Sequence, residues 1–394
     1  PNSSIKFDQA RKGWAWSGVV ADETTGDVKT NPKRSPGETT IYEKDGKTIK
    51  EVVWIVYSGE QLLYALQHYK DNQVVRLGDN IDLNGMHYSW PGVINDSNNT
   101  IIDGAGFTIY NYGNVYDSSD KTTDEQKRDT VKRPVFLNRT GTNSACTIQN
   151  LSFVTAKIVQ PMCSYGGLFQ RLQSESKLYE PGTVKLTMTD LTFERCLNYS
   201  GVYNDYKWVG TDGKPRYNRF LIWGSSIMGQ PGTSPLDSEA LYTSFSAKRV
   251  YFINNYMFGK NHVSLGFLCV YNGKMENCAS IGCMLVGTGG HSGGLLPCST
   301  NKTRVEKCFI SAEMYGARDI YGLGGASAVD QCYTTGKMEG YKDLSGLGGG
   351  YRNPDVANSR EVADVRNVTR SYSTMLVGLR TEARNMAGFA TGVH

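Results

Sequence analysis

A short rung recurs through the second half of the chain and limits what the chain can fold into. It reads Met275-Glu276-Asn277-Cys278, Val305-Glu306-Lys307-Cys308, Val329-Asp330-Gln331-Cys332 and Val365-Arg366-Asn367-Val368. The first positions lie 30, 24 and 36 residues apart, and each copy is followed by a glycine: Gly287, Gly316, Gly340 and Gly378. An irregular repeat of this size marks a solenoid, because one copy cannot bury its apolar face until the next stacks on it. The 394 residues are therefore read as one growing stack rather than two or three globular domains.

Earlier segments fit the same plan. Thr147-Ile148-Gln149-Asn150-Leu151-Ser152-Phe153 and Leu186-Thr187-Met188-Thr189-Asp190-Leu191-Thr192-Phe193 match in character, and Val250-Tyr251-Phe252-Ile253 joins them. Traced backward, Met275 is expected to align with Val250, Met188, Ile148 and Ile102. Alternate apolar residues face the interior of such a coil, while Asn and Asp suit its corners. Forty-four glycines, 24 tyrosines and only 20% charged residues agree with a β-rich chain. The net charge of +4, with no Lys/Arg run longer than two, gives no basic stripe for nucleic acid. No apolar run reaches the roughly 18 residues of a membrane span. No leader is evident and residue 1 is proline, so a mature protein or an excised domain is expected.

Nine cysteines leave at least one unpaired. Cys278, Cys308 and Cys332 share one rung position, which predicts a stack of small buried thiols. No CxxC pair is present, which disfavours a structural zinc site. Cys278 and Cys283 are near enough in sequence to pair, but sequence leaves that open.

Residues 1–50 read as a loop-rich extension, with a hairpin signal at Asp45-Gly46. The β-helix domain is expected over residues 51–394. It opens with the strand Val52–Tyr57 and an amphipathic helix at about 59–69, introduced by a Ser58/Gln61 capping box. Such a helix can cap the open end of a stack. Two lateral insertions are expected at about 111–134 and 199–245.

The order from Ser58-Gly59-Glu60-Gln61-Leu62-Leu63 through Asn98-Asn99-Thr100-Ile101-Ile102-Asp103-Gly104-Ala105-Gly106-Phe107-Thr108-Ile109 resembles the start of pectate-lyase-like right-handed parallel β-helices. Gly293-Gly294-Leu295-Leu296 and Gly322-Leu323-Gly324-Gly325 are similar to GLUG-type repeats of bacterial surface proteins, including IgA-peptidase-like ones. The resemblance covers roughly residues 50–380. It implies an all-β right-handed parallel β-helix and an extracellular, secreted or surface-attached setting.

Loops on a rigid scaffold are where function concentrates. The 199–245 insertion holds Tyr203, Asp205, Tyr206, Trp208, Arg216, Tyr217 and Trp223. Aromatic faces stack on sugar rings while Asp and Arg take hydroxyls, so these seven are the candidate ligand-binding set. The competing reading is that the rings pack the insertion against the solenoid flank. Asp117, Asp120, Asp124 and Glu125 offer oxygen ligands for calcium, but they lack EF-hand spacing and sit among lysines and arginines, which favours a solvated loop. No resident cofactor or metal is expected.

No catalytic residue is assigned. His291 in Gly289-Gly290-His291-Ser292-Gly293 lacks an adjacent acidic pair and reads as a turn residue. Glu194 and Arg195 are ordinary wall charges, and no His-Glu-x-x-His is present. The leading expectation is a non-catalytic, adhesin-like surface domain that binds a glycan or a host protein. The alternatives are a polysaccharide lyase or glycoside hydrolase of the same fold, and a phage or viral receptor-binding fibre.

Overall fold

A computed structural model describes residues 19–21, 28–30, 38–44, 46–83, 93–94, 97–115, 137–139, 145–160, 165–166, 168–171, 185–200, 207–209, 215–217, 224–227, 244–259, 263–267, 269–270, 273–287, 292–296, 298–299, 303–316, 320–326, 328–341, 344–349, 367–379, 386–387 and 390–391. Within these the chain is an all-β stack with one described helix, α1 (Gly59–His68). Successive passes pair in parallel on several faces. The largest sheet has 22 strands, and a second has seven, from Tyr165–Gly166 through Met386–Ala387. Parallel pairing of each pass with the next, repeated on separate faces, is the pattern of a solenoid.

The register gives each pass its place. One buried column runs Ile102, Ile148, Met188, Ala247, Met275, Val305 and Val329, with the half-buried Val368 as its last member. Two expectations are corrected here. Ala247, not Val250, occupies the Met275 position, and Val250 pairs with Leu191. The last rung begins at Val368 rather than Val365, which puts Ser371 where the earlier rungs carry cysteine. Matching apolar identities misplaced both, because alanine fills an interior position as well as valine does. The glycine that follows shifts too: Gly287 pairs with Gly316, but Gly378 pairs with Glu339.

A left-handed bend precedes each of these corner residues. Asn150, Asp190, Arg249, Asn277, Lys307, Gln331 and Arg370 all hold φ between 47° and 55°. Asn and Asp visit this region readily, while Arg, Lys and Gln do so only where the surroundings impose it. A second bend lies at Asn111, Thr155, Arg195, Asn254 and Gly282, with φ from 52° to 63°. Register slips by one residue between Ile281 and Cys283, so that Cys283 pairs with Ala312.

At five of the bends the next N–H bonds to a side chain of the following coil. Cys278 N–H donates to Cys308 Sγ (3.4 Å), Cys308 N–H to Cys332 Sγ (3.4 Å), and Cys332 N–H to Ser371 Oγ (2.9 Å). At the second bend Cys196 N–H donates to Asn255 Oδ1 (2.7 Å) and Asn255 N–H to Cys283 Sγ (3.3 Å). The thiols in turn reach carbonyls of the preceding coil, as Cys283 does to Phe252 O (3.2 Å) and Cys332 to Val305 O (3.5 Å). Cys196, Cys278, Cys283, Cys308 and Cys332 are free, buried thiols, and Cys283, Cys308 and Cys332 act as corner acceptors and core fillers at once. Cys278 and Cys283 stand in different ladders and do not pair.

The interior between the bends is filled by rings. Phe153, Phe193 and Phe252 stack nearly parallel at centroid spacings of 5.8 and 5.2 Å, and Phe267 closes edge-on at 5.4 Å. On the seven-stranded face, glycine is required by neighbouring backbone. A Cβ on Gly294 would lie 2.1 Å from Gly322 O, and one on Gly322 would lie 1.9 Å from Gly346 O. Beside them Leu295 N–H donates to Leu323 O and Leu323 N–H to Leu347 O, with all three leucines buried. The glycine-leucine motif of the sequence is therefore a close-packed turn stack.

At the N-terminal end Glu38–Tyr42 and Ile49–Val56 form an antiparallel hairpin, and Ile49–Val56 begins the parallel series by pairing with Gln73–Leu77. Ser58 Oγ accepts from Gln61 N, while Gln61 Oε1 accepts from Tyr57 N–H (2.7 Å), fixing the start of α1. Leu62, Tyr64, Ala65 and Leu66 of α1 enter the common core. Arg76 bridges three passes, with a bidentate contact to Glu51 (2.8 and 3.0 Å) and a bond to Asp103 (3.1 Å). The scaffold claims the edges of both insertions: Gly113–Val115 and Leu197–Ser200 are sheet strands, and Phe245 is buried.

Gly322→Ala is expected to lower stability by about 3 kcal/mol, the upper range for overpacking against atoms that cannot move aside. A urea midpoint within error of the parent would refute the close-packed stack. Burial also pushes Cys196 up to about 12 and Cys283 to about 11, from 9.0 for an exposed thiol. The native state therefore holds these protons where the unfolded chain releases them. Their effect is absent below pH 9 and becomes a growing loss of stability from pH 9 towards 11–12. Melting temperature should fall across that window by more than in a Cys196→Ala/Cys283→Ala chain. Matching curves would rule the linkage out.

Candidate functional site

The scaffold carries the aromatic insertion directly after the strand Leu197–Ser200. Within it, Lys207–Val209 and Pro215–Tyr217 form an antiparallel ribbon. Trp208 stands opposite Arg216 and Lys207 opposite Tyr217. Three of the seven sequence candidates, Trp208, Arg216 and Tyr217, therefore share one two-stranded element. Tyr203, Asp205, Tyr206 and Trp223 lie outside the described residues, as do His291 and the acidic set Asp117, Asp120, Asp124 and Glu125. Among the described residues no group of three His, Cys, Asp or Glu is placed to hold a metal ion. Glu194 and Arg195 pair with each other on the wall at 3.2 Å.

Beside the insertion lies a surface that sequence reasoning passed over. The outward positions of three consecutive coils form apolar columns: Leu197, Tyr256 and Met284 in one, Tyr199, Phe258 and Val286 in the next. Tyr199 and Phe258 lie 6.1 Å apart with tilted rings. Across the second bend Ile253 pairs with Ile281. Tyr256 is 49% exposed and Ile281 38%. A third column runs Tyr251, Ala279, Phe309, Tyr333 and Tyr372, with Phe309 to Tyr333 at 5.3 Å and Tyr333 to Tyr372 at 4.4 Å. The signal for it was in the sequence, as the aromatic directly after Cys308 and Cys332.

The polar border of this face is paired across coils. Lys274 reaches Glu306 at 2.9 Å, Lys248 lies 3.9 Å from Glu276, Arg249 grips Asp190 with both nitrogens, and Arg370 does the same to Asp330. Hydrogen bonds from Arg249 and Arg370 hold the Asp190 and Asp330 carboxyls below the usual carboxylate range. Each of these pairs joins one cation to one anion, so together they add no net charge to the border of the aromatic columns. Asn198 opens an Asn-x-Ser triplet, Asn198-Tyr199-Ser200, but its side chain is buried and Nδ2 donates to Ser226 O at 2.9 Å, which closes it to glycosylation in the fold.

Face and core should separate under mutation. Tyr256→Ser and Ile281→Ser are expected to change stability by no more than about 0.5 kcal/mol, as exposed positions do. Phe252→Ala should cost about 3–5 kcal/mol through the cavity it opens. Equal losses for all three would show that the outward columns are interior packing, not an available surface.

No protein-family model matches the chain, and no curated protein does. Among solved structures, a chain from Bacteroides ovatus described as a "putative immunoglobulin A1 protease" is similar over 86% of this chain and 81% of its own. The identity is 12% and the TM-score 0.39. A likeness at that level transfers neither an activity nor a residue role.

Proposed function

We propose that the chain is a right-handed parallel β-helix that presents an extracellular, adhesin-like surface for a glycan or a host protein. The observation that carries this is the set of outward aromatic and apolar columns on consecutive coils, next to the insertion that holds Trp208, Arg216 and Tyr217. Parallel crossovers are right-handed in nearly all known cases, which supports the hand. The position of α1 at the first coils, with its apolar face in the core, supports a capping role for it.

Sugar rings offer apolar C–H faces to tyrosine and tryptophan, and a planar aromatic surface binds them with little loss of side-chain freedom. The coils repeat along the axis at the strand spacing of about 4.8 Å. A chain ligand lying along the axis would therefore meet an equivalent residue at each step. In the insertion, Tyr203, Asp205, Tyr206 and Trp223 would add stacking and hydroxyl contacts to those of the ribbon. On this reading the protein is not an enzyme and needs no cofactor.

The test is a glycan array together with a panel of host matrix proteins, run on the parent chain, Trp208→Ala, Trp223→Ala and Tyr256→Ser. A ligand whose affinity falls at least tenfold in the tryptophan variants is the expected result. Binding that all three substitutions leave unchanged would remove the site from this surface. Release of unsaturated or reducing sugars from uronate polymers would replace the reading with a lyase or glycosidase. A trimer in light scattering would favour a receptor-binding fibre.

A further inference from the structure

Two cysteines stand apart from the corner ladders and opposite each other across a coil boundary. Cys269–Val270 and Cys298–Ser299 form a parallel strand pair in which Cys269 is the register partner of Cys298. The backbone pins that register from both sides. Upstream, Phe267 N–H donates to Leu295 O at 2.8 Å, and downstream Lys274 pairs with Arg304 and Met275 with Val305. Neighbouring strands of a sheet lie about 4.8 Å apart. That falls inside the Cα separation of roughly 4.4–6.8 Å that a disulfide spans.

The described thiols are free and are placed differently. Cys146 has Thr100 and Leu186 as its register partners. Cys196 N–H bonds to Asn255, and Cys283 pairs with Ala312. Cys278, Cys308 and Cys332 do follow one another from coil to coil, but the sulfurs of Cys308 and Cys332 accept the corner N–H of the preceding coil. Drawing two of these sulfurs to bonding distance would pull an acceptor away from a buried donor, which is costly. The pair at Cys269 and Cys298 has the same coil-to-coil relation on a strand, away from those corners.

We propose that Cys269 and Cys298 form a disulfide that ties two consecutive coils together. The oxidant is a small-molecule disulfide. The thiolate of one cysteine attacks it, which forms a mixed disulfide and releases one thiol. The thiolate of the other then attacks the mixed disulfide, which forms the Cys269–Cys298 bond and releases a second thiol. The two protons lost by the cysteines leave on the two released thiols, and the external disulfide takes the electron pair. The bond closes a full coil into a ring, from Cys269 through the corner at Asn277 and the slip at Gly282 to Cys298. Closing a loop of that length restricts the unfolded chain, so the tie secures the coil in which the register changes. The proposal rests on the register of this strand pair and is independent of the glycan or host-protein reading above.

The experiment equilibrates the full chain with oxidised and reduced glutathione, alkylates it in denaturant without reductant, and digests it with trypsin. Cys269 falls in the peptide 261–274, and Cys298 in 275–302 together with Cys278 and Cys283. The expected product is these two peptides joined, with Cys278 and Cys283 alkylated, and it separates into its halves on reduction. Cys269→Ser and Cys298→Ser should each abolish the joined product with far-ultraviolet circular dichroism unchanged. Each should also lower the urea midpoint of the oxidised chain to that of the reduced parent. Cys269 and Cys298 fully alkylated in the oxidised parent, or a cross-link that maps to any other cysteine, would overturn the proposal. A joined product whose reduction leaves the urea midpoint unchanged would overturn its role as a tie between coils.

Discussion

The fold depends on what happens to one backbone N–H per corner. A left-handed bend turns the chain sharply enough to close a coil, but it takes the next N–H out of the strand ladder. A buried donor without a partner costs about 1–3 kcal/mol, and a stack of coils would repeat that loss at turn after turn. At five corners the structure meets it with a side chain from the following coil: sulfur at Cys308, Cys332 and Cys283, an amide oxygen at Asn255, a hydroxyl at Ser371. At those corners coil order and corner chemistry are the same constraint.

This explains why cysteine recurs in a place where a plain hydrophobe would fit. Leu151, Leu191 and Val250 occupy the same column in earlier coils, so packing alone does not demand sulfur. A thiol is small enough for the interior, weakly accepting towards the N–H behind it and weakly donating towards a carbonyl. At the second corner burial raises the Cys196 and Cys283 thiols and keeps them protonated, which suits an interior position and argues against chemical reactivity there.

Much of the architecture was legible because an interior column must repeat. The rungs at Met275, Val305 and Val329, the match of Ile148 with Met188, and the helix start at Ser58 were all readable as patterns. The failures have physical causes. Ala247 hides a core position behind a small side chain, and Ser371 hides a corner position because hydroxyl and thiol do the same job there. The face with Tyr256 and Ile281 was missed because outward residues need not repeat, so nothing in their spacing marks them. Of the seven insertion residues, only the pairing of Trp208 with Arg216 and the place of Tyr217 bear on the described backbone.

The register slip at Gly282 has a mechanical meaning. Coils before it turn through two left-handed corners, whereas Phe309–Gly316 runs past that point as one strand after a single corner. The stack is consequently a beam of two gauges. The aromatic columns at Tyr199 and Tyr256 sit on the two-cornered coils, directly after the second corner, while the ring column ending on Tyr372 continues past the change.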